Sequence, residues 1–244
     1  LADPSDRRPL VAFGARPTLE RMDASEASRI VATRGPEMGG SMLRQLLDAA
    51  VTGVGKVPGA KVTAANSLVR QGSVEPAIDA LVSLHVRMAT AQGVLTNLGG
   101  LWTAPLLLPA NIAGLAIVQI RLVAAIAHLR GYDVDDPRVR TAMALCLAGE
   151  SGVAAMIERN EIPTTPLAIA TAPIFDASLD QLVAEKVFGD LGGRLGGRQA
   201  VLLLARRSPV LGGGVSGALD GWFTGSVGAF ARQQFPTRRR LTQG

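Results

Sequence analysis

The sequence predicts an all-α protein, a compact multi-helix bundle built around a long apolar helix at about residues 109–130. Three observations lead there. Capped segments with helical periodicity fill most of the chain, while the alternation that marks strands is scarce. The hydrophobic share is 48% although aromatics supply only 4%, so small apolar residues carry the packing. From Ala104 to Ile120 there is no charge, and only Asn111 and Gln119 interrupt the apolar character.

Taken in order, residues 1–18 carry charges and no periodicity and read as an N-terminal arm of the disordered kind. Asp23 suits the cap of a helix over 24–33, with Glu26 at the capping-box position. Gly35-Pro36 and Gly39-Gly40 break the chain. Ser41 then caps a helix over 42–51, and Gly53-Val54-Gly55 makes a turn. A helix over about 58–70 ends at Gln71-Gly72. Ser73 caps an amphipathic helix over 74–92, whose stripe is Ile78, Leu81, Val82, His85, Met88 and Ala89.

The apolar helix follows, from Pro109 to Arg130. An uncharged run of this length is at the lower edge of what crosses a bilayer, where ~20 residues are usual. It suits a helix surrounded by protein or one that meets lipid. His128 and Arg130 complement the dipole at its end, and Gly131 suits a left-handed C-cap. Asp136-Pro137 reads as an N-cap followed by proline at the first helical position. Tyr132 would anchor the corner, and a helix should run over 137–160.

Glu161 to Pro173, with three prolines, reads as a loop and a candidate lid or hinge. A helix over 176–188, a turn at the five glycines of 189–197 and a short helix over 198–207 come next. In the last helix Gly213, Gly217, Gly221 and Gly225 recur every four residues, with Ala229 continuing the series. Such a stripe lets another backbone approach closely. Each interior glycine costs roughly 1 kcal/mol relative to alanine, so tight helix–helix contact must compensate. Packing against the apolar helix in a bundle is preferred to a membrane-spanning glycine zipper, because Asp220 interrupts any span.

The corner carries a resemblance. Gly99-Gly100-Leu101, then Leu108-Pro109-Ala110, then IAHLRGYDVDDPRVR with Gly131, Tyr132, Asp133, Asp136 and Pro137 resembles the EcsC family. Asn111 stands where that family often has aspartate. The likeness covers about 81–160 and resumes at 209–213. The family takes its name from a protein encoded beside an ABC transporter. The resemblance implies a helical domain over about 19–235, with a basic tail at 236–244, and a membrane setting. It implies no settled catalytic chemistry.

The net charge is +5, with basic clusters at Arg7-Arg8, Arg206-Arg207, Arg232 and Arg238-Arg239-Arg240. These suit anionic lipid headgroups or plain solubilisation. They lack the interleaved aromatics of a nucleic-acid surface, so no nucleic-acid partner is expected. A lone cysteine, Cys146, excludes an internal disulfide and reads as a buried thiol. His85 and His128 have no partner at metal-ligand spacing and read as core and capping residues; whether packing of their helices brings the two together is not set by the sequence. Glu150 is the acidic interruption of a neutral stretch, and Arg121 is its natural partner. That ion pair reads as structural, or else as a polar centre in a lipid-lined cavity. No cofactor, metal or catalytic residue is expected.

The first expectation is therefore a non-enzymatic lipid-binding or membrane-peripheral protein with a hydrophobic interior. Trp102, Leu108, Asn111, Leu115, Gln119, Arg121, Glu150 and Trp222 are its candidate ligand contacts. The alternative is an accessory protein binding a membrane partner such as an ABC transporter. A hydrolase using Glu150 or a histidine ranks third. With no signal-peptide run at the visible start, the expected location is cytoplasmic, with attachment to the inner face of the membrane as the bound form.

Overall fold

The structure, a computed structural model, describes residues 39–238 apart from Lys56, 99–103 and 206–208. Side chains at 54, 95–98, 104–113, 194–205 and 209–216 are left out of the description. The expected arm at 1–18, the helix at 24–33 and tail residues 239–244 lie outside the described residues. So do Gly99, Gly100, Trp102 and the Arg7-Arg8 and Arg206-Arg207 clusters.

Among the described residues the protein is all-α. The helices are α1 (39–52), α2 (Ala60–Gln71), α3 (Val74–Leu98), α4 (Ala104–Leu129), α5 (Pro137–Cys146), α6 (Gly149–Glu158), α7 (Pro166–Ala170), α8 (Ala177–Ala205) and α9 (Pro209–Gln234). A two-residue antiparallel hairpin, β1 (Gly53–Val54) and β2 (Val57–Pro58), stands where a turn was expected. Gly53 and Gly55 have φ of +94° and +58°, which glycine adopts freely.

The most extensive helix–helix contact joins α3 and α9. They run antiparallel: Gly217 and Gly221 face Thr90, Gly225 faces Val86, and Gly228 faces Val82. This corrects the expectation that the glycine stripe packs chiefly on the apolar helix, which it touches at Gly228 through Leu122. The stripe also drifts. Four residues turn a helix by about 400°, so Gly228 joins the contact while Ala229 is exposed. Gly213 lies outside the described side chains. Gly93 stays inside α3 because its bare backbone meets Gly217.

Helix α4 begins five residues earlier than expected, so Pro109 lies inside it rather than at its start. Ile120 and Leu122–Ala127 are fully buried, where helices α2, α3 and α9 pack on α4. Residues Leu43, Leu47, Ala50 and Val51 bury α1 in the same core, and Gly39 of α1 packs against Phe188 of α8.

The corner after α4 forms as expected. Gly131 has φ +88°, Tyr132 N–H donates to Ala127 O at 3.0 Å and Gly131 N–H to His128 O at 3.0 Å, the paired bonds of a glycine-terminated helix. Tyr132 is buried, edge-on to Phe235 at 5.0 Å, with the Arg238 guanidinium 5.0 Å from its ring centre. Burial pushes its hydroxyl pKa up, against the pull of Arg238 and Arg130. Arg238 N–H donates to Arg130 O at 2.9 Å. The first residues of the expected tail are thus pinned to the corner. Asp136 caps α5 by accepting from Arg138 N–H at 2.9 Å.

Three expectations are corrected. The single helix over 137–160 is two, α5 and α6, bent by 103°. Gly149, at φ +67°, turns the chain between them. The glycines of 189–197 do not turn; α8 runs through them. A Cβ at Gly189, Gly192 or Gly193 would meet nothing within 4 Å, so these positions tolerate a helix without demanding a turn. The loop over 161–173 contains the short helix α7, with Ile169 and Ala170 buried. Among the described residues no single helix is long and apolar enough to cross a membrane.

Candidate functional site

Most of the core is aliphatic, but one level of the α3–α4–α9 packing is polar. Gly114 faces Gln92 across the α3–α4 pair. Seven residues further along both helices, about 10 Å, the antiparallel register sets Arg121 opposite His85. On α9, Thr224 accepts from Gln119 Nε2 at 3.3 Å. At this level His85 and Thr224 are fully buried, Gln119 is 4% exposed and Arg121 7%, whereas Asp220, 2% exposed, lies against Gly93, about two turns away along α3.

His85 contacts Leu81 O through Nδ1 at 2.8 Å, while its Nε2 has no hydrogen-bond partner. Burial pushes its pKa down to about 4, and the Arg121 charge adds to that. The ring is therefore neutral at pH 7, its Nδ1–H donating to Leu81 O and its Nε2 a bare acceptor. Arg121 donates from Nη1 to Pro58 O at 3.4 Å, and its Nε has no partner. Burial lowers its pKa as well.

The expected Arg121–Glu150 pair is not made. Glu150 is exposed, in the first turn of α6. The reason is the bend at Gly149, which ends α5 and starts α6 in a new direction, so Glu150 is no longer on a buried helix face. His85 and His128, which could have met across packed helices, do not: the register puts His128 opposite Ile78, two turns away. Cys146 is fully buried, and burial pushes its thiol pKa up.

The other candidate contacts are dispersed. Leu115 is half-buried on α4, and Leu108, Asn111 and Pro109 lie on α4 outside the described side chains. Trp222 is 65% exposed on α9, its ring edge-on to Phe223 at 5.0 Å. Asp133, from the family-like motif, accepts from Asp135 N–H at 3.0 Å inside the corner, a structural role. Sequence reasoning missed Thr224 and the burial of Asp220. Isolated polar residues on apolar helices were the available signal, but the register that gathers them was not legible.

Of the basic clusters, Arg232 is paired with Asp79 and Arg238 lies on Tyr132. Among the described residues no group of three or more His, Cys, Asp or Glu side chains gathers as a metal site. Comparison of the chain with protein-family models, with curated proteins and with solved structures returns no match.

Proposed function

We propose that this protein is a non-enzymatic, membrane-peripheral lipid-binding protein that meets a lipid surface through the outer face of α9. The observation that carries the reading is the chemistry of that face. From Ser208 to Ala231 the only charged residue is Asp220, and Asp220 is buried. The exposed positions Ala218, Trp222, Ser226 and Ala229 are uncharged over three turns. Ser226 folds its hydroxyl back onto Trp222 O at 3.0 Å, which removes one more polar group from the surface. An exposed tryptophan on an uncharged helix face suits a membrane interface, where its ring stays amphipathic. The EcsC-like corner and the net positive charge support the same setting.

Co-sedimentation with protein-free phosphatidylglycerol/phosphatidylcholine vesicles tests it. Two-thirds of a side chain of roughly 200 Å², at about 25 cal/mol per Å², bounds the Trp222 contribution near 3 kcal/mol. Partial insertion makes a tenfold loss for Trp222→Ser the expected result. Equal binding by wild type and Trp222→Ser, or no binding at all, refutes the reading. Retention on cell membranes together with failure on protein-free vesicles supports the accessory alternative, in which a membrane protein covers this face.

A further inference from the structure

Six described arginines, 44, 130, 138, 140, 159 and 232, are each paired with a carboxylate. Arg121 is the one arginine among the described residues that is buried, and among those residues it has no carboxylate partner. Its single hydrogen bond, to Pro58 O at 3.4 Å, is long. A buried cation with no counter-charge is strongly unfavourable. The Nη1 side is turned to the Val57–Pro58 hairpin, while the buried Nε–H, on the edge it shares with Nη2, has no partner. That edge is the fork whose two parallel N–H groups match the two oxygens of a carboxylate.

We propose that Arg121 anchors an internal site for a single oxyanion, a carboxylate, at the polar level of the α3–α4–α9 packing. The charge count selects the class. One guanidinium neutralises one negative charge, whereas a phosphate dianion would leave a second charge buried. Across the site, His85 Nε2 offers an acceptor on α3, which suits the acid's proton when the group enters as a carboxylic acid. The carboxylate has two sources, a small free acid or the head of a fatty acid, and the surroundings favour the second. No charged residue occurs from Met88 to Ile120. Ile117 and Gly114 lie four and seven residues before Arg121, on the same face of α4, and are half-buried, as are Met88 and Gln92 on α3. An alkyl chain lying along this uncharged seam leaves its head at Arg121. The chain rests on the lipid-binding reading above; the anion anchor does not.

Isothermal titration with dodecanoate, dodecanol and acetate on the full chain separates the possibilities, with Arg121→Leu and Arg121→Lys as variants checked for native circular dichroism. Dodecanoate is expected to bind the wild type and to lose at least tenfold with Arg121→Leu. Arg121→Lys, which keeps the charge and loses the fork, should lie between them, and it serves as the test if the leucine variant does not fold. Dodecanol binding should not respond to either change. Dodecanoate binding alike to wild type and both variants overturns the anchor while leaving the lipid reading standing. Acetate binding that depends on Arg121, with dodecanoate no tighter, upholds the anchor and removes the alkyl chain. Absence of binding by both acids means that water alone satisfies Arg121, and overturns the proposal.

Discussion

Gly217→Ala and Gly225→Ala are the same chemical change eight residues apart on α9, and the structure separates their effects. A methyl at Gly217 would lie 2.7 Å from the carbonyl oxygen of Thr90 and 2.7 Å from Val94 Cγ2. The first of these is helix backbone, so α9 and α3 must separate to admit it. Overpacking of this kind costs about 1–3 kcal/mol. A methyl at Gly225 meets only Val86 Cγ2, at 3.6 Å, an ordinary contact. Both changes gain about 1 kcal/mol in helix propensity, so the propensity cancels between them and the gap is the strain alone. Gly225→Ala should therefore raise stability by about 1 kcal/mol, or roughly 2–4 °C in Tm for a unit of this size. Gly217→Ala should fall below it by about 1–3 kcal/mol. Urea and thermal unfolding followed by circular dichroism read both. A Gly217→Ala variant as stable as Gly225→Ala, or more so, would show that α9 is not seated on α3 at this glycine.

Two further outcomes follow from buried polar groups and caps. His85 has its pKa lowered from an ordinary 6.5 to about 4, so between those values the unfolded chain binds a proton that the folded one does not. Stability is fully present above pH 6.5 and is lost as pH falls toward 4, by about 3 kcal/mol. His85→Leu should flatten that part of the stability–pH curve, and an unchanged slope between pH 6.5 and 4 would refute the assignment. Asp136→Ala removes the cap of α5 and the Arg138 pair at 2.5 Å. Because Arg138 also donates to Ala172 O at 2.5 Å, the loss should reach about 1–2 kcal/mol, read as a lower urea midpoint. An unchanged midpoint would mean that the corner is held by Tyr132 and Gly131 without the cap.

Much of the fold was legible because its signals are local. Gly131 needs a positive φ, and Asp136-Pro137 starts a helix by a hydrogen bond two residues long; neither depends on distant partners. The helical class follows in the same way from periodicity and small residues. Glycine was ambiguous for the same reason. Gly149 turns the chain, while Gly189, Gly192 and Gly193 let α8 pass. A residue without a side chain allows both outcomes, and its neighbours in space choose between them.

The candidate site was less legible. Composition and charge pattern by themselves determined an all-α chain with an uncharged middle and a capped corner at residues 128–137. Only the tertiary structure decided that Arg121 faces His85 rather than Glu150, that the glycine stripe seats α9 on α3, and that Trp222 looks outward. Those outcomes depend on helix register and on the direction of one bend at Gly149. Both are set by packing between segments tens to more than a hundred residues apart, which short-range sequence patterns do not encode.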